Sequence, residues 1–163
     1  MAGDVSFDVV SDFDAQELRN ALDQVRREVA TRYDFKGARI SLELGKTEVV
    51  LQADDEYRAG AVKDLLQSKA VRRGLSLKVF DWGKLEPAGG GTVRQHIGLK
   101  RGLSSEQAKE ISKIIREAFP KVKPAIQGDA VRVSGKSEDD LQAVIGHLRG
   151  MDYAVALQFE NYR

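Results

Sequence analysis

The residues of this chain best suited to chemistry are cations and aromatic rings. In Thr92 to Lys100, Val93, Gln95, Ile97 and Leu99 take one phase and Arg94, His96, Gly98 and Lys100 the other. Successive side chains of a strand point to opposite faces, so if Val93, Ile97 and Leu99 look toward a core, the second set looks away from it. By the same rule Arg132 stands opposite Val131 and Val133, and Lys78, Phe80 and Trp82 stand opposite Leu77 and Val79. Rings and basic groups on one open face suit a nucleotide, because rings stack on bases while guanidinium and ammonium groups meet phosphates or the acceptor edge of guanine. The rival arrangement packs two open faces together, with Phe80 and Trp82 as filler and the cations at the rim.

Gly135-Lys136-Ser137 joins a strand to a helix as the end of a phosphate loop does, and the free N–H groups of a helix start favour an anion. The full GxxxxGK[ST] pattern requires Gly at position 130, where this chain has Ala130, so an NTPase is not expected and a turn glycine with a Ser137 cap accounts for the segment. Arg149-Gly150-Met151-Asp152 fits RxxD, a pattern found at some cyclic di-GMP sites and short enough to arise by chance. His96 and His147 are the only histidines and make no metal set. Asp54-Asp55-Glu56 and Glu138-Asp139-Asp140 both stand at helix starts, where negative charge offsets the helix dipole. With no nucleophile or metal constellation in view, an enzyme is not expected.

The elements that position these residues are legible from periodicity. Val5 to Val10 alternates as a strand. Asp14 and Glu17 open a helix with Leu18, Leu22, Val25 and Val29 inward, and Ile40 to Leu44 and Thr47 to Gln52 flank a Gly45-Lys46 turn as a hairpin. A helix over Asp55 to Arg73 precedes a strand through Leu75, Leu77 and Val79 that continues to Trp82. After Thr92 to Lys100 come a helix capped by Ser104, a hairpin of Lys123 to Gln127 with Ala130 to Ser134, a helix capped by Ser137, and a strand through Val155, Leu157 and Phe159. Residues 48–66 also superimpose on residues 130–148 at core-type positions, so the chain contains one fold unit twice.

The expected fold is therefore α+β, two tandem ferredoxin-like βαββαβ domains with antiparallel sheets. The first spans 1–86 and the second 92–163, with the glycine-rich 87–91 as linker. At 163 residues the chain has room for two such units. Lys plus Arg number 26 against 25 Asp plus Glu, so any anion site must be local. The absence of cysteine excludes disulfides and thiolate chemistry, and with no long apolar run a cytoplasmic protein without membrane partners is expected.

SFDVVS at Ser6 to Ser11, RYDFKGARI at Arg32 to Ile40, IQGDAVRVSGKSEDDLQAVI at Ile126 to Ile145 and the terminal QFENYR closely resemble the YajQ family. The resemblance implies a cytoplasmic bacterial nucleotide-binding protein of two ferredoxin-like domains, with exchange of the N-terminal strands between them allowed for. It further implies cyclic di-GMP or another nucleotide as ligand, and a signalling role through a transcription or translation partner. Nucleic-acid binding has also been proposed for the family, and an RNA-binding sheet face is the alternative reading here. In the first reading Arg94 and Lys100 meet phosphate, Arg132 or Arg149 with Asp152 the guanine edge, and Phe80 or Trp82 a base face, with His96 and Lys136 as further contacts.

Overall fold

The structure, a computed structural model, describes residues 4–163. In chain order its elements are β1 (Val5–Val10), α1 (Ala15–Thr31), β2 (Ser41–Leu44), β3 (Glu48–Ala53), α2 (Glu56–Arg72), β4 (Phe80–Pro87), β5 (Val93–Leu99), α3 (Ser105–Ala118), β6 (Lys123–Gln127), β7 (Ala130–Gly135), α4 (Glu138–Arg149) and β8 (Gln158–Glu160). Each helix begins where a short polar side chain can take the orphan N–H groups of its first turn. Asp14 accepts from the amides of Gln16 and Glu17, Asp55 from Arg58, and Ser137 from Asp139 and Asp140. Ser104 and Gln107 close a reciprocal capping box.

The strands form two four-stranded antiparallel sheets, ordered β2-β3-β5-β4 and β6-β7-β1-β8. In the unit Phe13–Lys100, apolar residues of the sheet (Val49, Leu51, Ile97) pack on Leu18, Leu22 and Val25 of α1 and on Val62 and Leu66 of α2. In the other unit, Met1–Asp12 with Arg101–Arg163, Phe7, Val9, Val131 and Val133 pack on Ile111 and Ile115 of α3 and on Val144, Ile145 and Leu148 of α4. The internal repeat is realised in these places. β3 and β7 each lie second in their sheet with the same alternation of buried and half-buried residues, and α2 and α4 follow them.

Three expectations are corrected. First, the chain does not divide at 87–91: β4 and β5 pair directly, Pro87 opposite Val93, and the glycines between them form a tight turn with Gly90 at φ 72°. Their freedom serves a hairpin within one sheet, closed by the Ala88 amide on the Thr92 carbonyl at 2.8 Å. Second, the bounds 1–86 and 92–163 do not hold: β1 lies with β7 and β8, and β5 with β3 and β4, so the chain passes between units at 12–13 and 100–101. Third, Leu77–Val79 is not strand but a single 3-10 turn, closed by the Val79 amide on the Ser76 carbonyl. Strand alternation is therefore reset at Phe80.

Tyr153, in the loop after α4, is buried against the α3/α4 core. Burial, reinforced by a hydrogen bond to the Glu110 carboxylate, pushes its phenol from 10.0 up to about 12. Because the folded value is raised, this group's contribution to stability is complete below pH 10 and is lost as pH rises through about 12. A phenolate absorbance titration of the native protein is expected to show a late step there. Tyr153→Phe should remove that step, and a variant that retains it would assign the step to another tyrosine.

Candidate functional site

The unit Phe13–Lys100 holds a hollow of about 850 Å³ between the end of α1, the loop that follows it and the edge strand β2. Its construction starts where α1 stops. Arg32 leaves helical geometry at ψ 137° while its amide still bonds the Glu28 carbonyl, and Tyr33–Phe35 then makes one 3-10 turn. Gly37, at φ 75°, takes the left-handed conformation that lets the chain run on toward β2. The tight turn throws neighbouring rings apart: Phe35 is 3% exposed and anchors the loop, whereas Tyr33 is 88% exposed.

Three cations surround this loop. Arg26 reaches across from α1 to the Leu42 carbonyl of β2 through Nε at 3.2 Å and Nη2 at 2.6 Å, which ties the helix to the sheet edge. Arg32 forks onto Asp34, Nε to Oδ1 at 3.0 Å and Nη2 to Oδ2 at 2.6 Å, with its guanidinium carbon 5.0 Å from the Phe35 ring centre. Lys36 lines the same hollow and has no ion-pair partner among the described residues. Val29, Ala30 and Ile40 supply an apolar floor. An exposed phenol ring, a guanidinium fork and an ammonium around an apolar recess can hold a planar ring that carries an anion. Among the described residues no group of three His, Cys, Asp or Glu is placed to hold a metal ion.

The nine residues singled out from the sequence lie elsewhere and fall in both units. Phe80 and Trp82 pair in register with Leu99 and Ile97, so they share the helix-covered face, contrary to the parity expectation. Phe80 is 4% exposed within the core, and Lys63 of α2 stands 4.7 Å from the Trp82 ring. The reason is the 3-10 turn before Phe80, which breaks the alternation counted from Leu77. Arg94 and His96 do lie on the open face of β5, opposite Gln52 and Val50. That face is not basic and aromatic, however: Glu43, Glu48, Asp81 and Glu86 share it by register. The His96 ring lies between two of them, Nδ1 3.1 Å from Glu48 and Nε2 3.3 Å from Glu86. Lys100 follows the end of β5, its amide on the Val79 carbonyl.

In the other unit Arg132 faces away from the helices as expected, with its guanidinium forked onto Asp8 of β1 at 2.9 and 3.3 Å. Arg149, at the end of α4, lies 5.4 Å from the Phe159 ring, and Asp152 is in the loop beyond. Lys136 lines a hollow between β7 and α4. Sequence reasoning missed Arg26, Arg32, Tyr33 and Lys36. The signal was present as an Arg-Tyr-Asp-Phe-Lys-Gly run just past a helix end, with a ring and cations too dense for a solvated turn.

Two four-stranded antiparallel sheets, each packed against two helices, make this an α+β protein of two units. A family model described as "Nucleotide-binding protein YajQ-like" matches residues 5–163, and the chain belongs to that family. It is 58% identical to a nucleotide-binding protein of Chloroflexus aggregans, over the full length of both chains. It is also similar to proteins of the same description from Thermosynechococcus vestitus, at 56%, and Trichodesmium erythraeum, at 52%, again with both chains covered in full.

Proposed function

We propose that this protein binds a nucleotide without transforming it, and that the hollow beside α1 and β2 is where it does so. The observation that carries this reading is the convergence of an 88% exposed tyrosine, the Arg32 fork and Lys36 around one apolar recess. The names of its relatives support the same ligand class. A base stacks on Tyr33, while its phosphate displaces the Asp34 carboxylate from Arg32 and meets Lys36. Each unit is a ferredoxin-like sandwich whose first strand comes from the other half of the chain, a reading that the strand orders support.

In its fuller form the ligand is cyclic di-GMP and the cytoplasmic protein is a signalling effector that relays binding to a protein partner. Such a relay requires that the ligand bind one conformation more tightly than another, since equal affinity shifts nothing. Four carboxylates on the open face of β2-β3-β5-β4 weigh against RNA docking there.

Calorimetry with cyclic di-GMP, GTP and ATP tests the proposal. Binding of at least one is expected, with Tyr33→Ala and Arg32→Ala each weakening it about tenfold, the value of one lost stack or charged contact. Asp34→Asn, which frees the fork, should strengthen it. Absence of heat with all three at about 1 mM, near the weak limit of specific binding, would overturn the proposal.

A further inference from the structure

The unit that contains α3 and α4 carries a second hollow, of about 600 Å³, with a different lining: Lys121, Lys123 and Lys136, accompanied by Asp4 and Asp140 and by no ring. The three lysines come from two segments, residues 121–123, which run from the turn after α3 into the first residue of β6, and the link from β7 to α4. Two of them are aimed by the residue between them. Val122 is 3% exposed, buried in the core, so Lys121 and Lys123 on either side are turned outward. Val122 sits this deep because Gly135 has no side chain: a Cβ there would stand 3.3 Å from Val122 Cγ1 and 3.6 Å from Leu141 Cδ2. That close approach brings the 121–123 turn against the end of β7, from which Lys136 follows directly.

Among the described residues none of the three lysines has an ion-pair partner. Three ammonium groups around one hollow repel one another, and two carboxylates in the lining offset them only in part. A small monoanion leaves much of a hollow of about 600 Å³ unfilled. A chain of linked phosphates carries negative charge to all three at once, and lysine is a point-charge partner for phosphate oxygens. We propose that this hollow binds a compact oligophosphate, two or more linked phosphate groups, either free or carried by a small molecule.

The test is a titration of the intact protein with inorganic pyrophosphate at low salt, read by calorimetry and by amide NMR shifts. Saturation is expected, with the largest shifts at residues 121–123 and 134–137. Lys123→Ala and Lys136→Ala should each weaken binding about threefold to fivefold, and Asp140→Asn should strengthen it by a similar factor, the range of single exposed charge contacts. Opposite signs from neighbouring substitutions separate charge from misfolding. A nucleoside diphosphate that binds no better than pyrophosphate identifies the phosphates alone as the determinant; one that binds tighter, and is lost with Lys123→Ala, shows that a carrier is read as well. Nucleotide binding beside α1 is read from shifts at residues 32–36 and pyrophosphate binding here from shifts at 121–123 and 134–137, so this site and the nucleotide hollow succeed or fail separately. Absence of saturation by about 10 mM pyrophosphate, or affinity indifferent to all three substitutions, overturns the proposal. So does a single-stranded RNA that occupies these lysines more tightly than pyrophosphate.

Discussion

Asp8→Ala is expected to destabilise the protein by about 2–3 kcal/mol, the value of charge-assisted hydrogen bonds lost from a buried carboxylate. Asp8 lies on the face of β1 turned away from the helices and is nevertheless 5% exposed. It accepts from Arg132 Nε at 2.9 Å and Nη2 at 3.3 Å, and from Asn161 Nδ2 at 2.9 Å. Asn161 reaches it from a left-handed turn at φ 57°, a conformation that asparagine tolerates better than most residues, and the Arg163 and Ser6 backbones then pair. One carboxylate thus pins β7 and the C-terminal tail to β1. Its removal leaves three donors facing a vacated acceptor.

The same contacts set a pH dependence. The Arg132 hydrogen bond, aided by Asn161 and opposed by burial, holds the Asp8 carboxyl below its ordinary value of 3.8. A depressed carboxylate contributes its stability above that value and loses it as pH falls through the folded one. Urea titrations of wild type and Asp8→Asn should therefore differ at neutral pH and converge in acid below 3.8. A difference that persisted there would mean that the asparagine disrupts packing and that charge is not the cause. Charge reversal at Arg132 should likewise act first on stability, since it sets a second carboxylate against Asp8.

Periodicity is a local signal, and the structure shows where locality suffices. Asp14, Asp55, Ser104 and Ser137 cap the helices that follow them, and the repeat from Glu48 and from Ala130 returns as the same strand and helix. Alternation in Val5–Val10 says that a strand is half-buried; it cannot say that its partners are β7 and β8, more than a hundred residues on. A run of glycines offers freedom equally to a linker and to a turn, and the choice at 89–91 is made by the pairing of β4 with β5. The same limit governs the site. Parity placed Arg132 on the correct face and could not see Asp8 across from it, nor Glu48 and Glu86 beside His96. Arg32, Tyr33 and Lys36 occupy an aperiodic loop, where no parity argument applies, and were legible only as a run of ring and cations just past a helix end.

Gly83→Ala is expected to cost about 2–3 kcal/mol, at the upper end of overpacking penalties, because the clash is with backbone that cannot step aside. In the pairing of β4 with β5, Trp82 faces Ile97 and Leu85 faces Gln95, so Gly83 and Lys84 share the space opposite His96 as a bulge. A Cβ on Gly83 would stand 2.5 Å from the His96 carbonyl oxygen. The Gly83 carbonyl is held in place by Gln95 Nε2 at 2.7 Å, and Gln95 is itself buried, so β4 cannot retreat without breaking that bond. Gly60, inside α2, is the control. A Cβ there meets nothing within 4 Å, and Gly60→Ala should gain about 0.5–1 kcal/mol from helix propensity alone. Urea midpoints that move in opposite directions for the two substitutions would locate the constraint in the bulge. A Gly83→Ala protein as stable as wild type would mean that β4 can lift from β5 freely, and the close approach would then have no part in holding Trp82 on the core face.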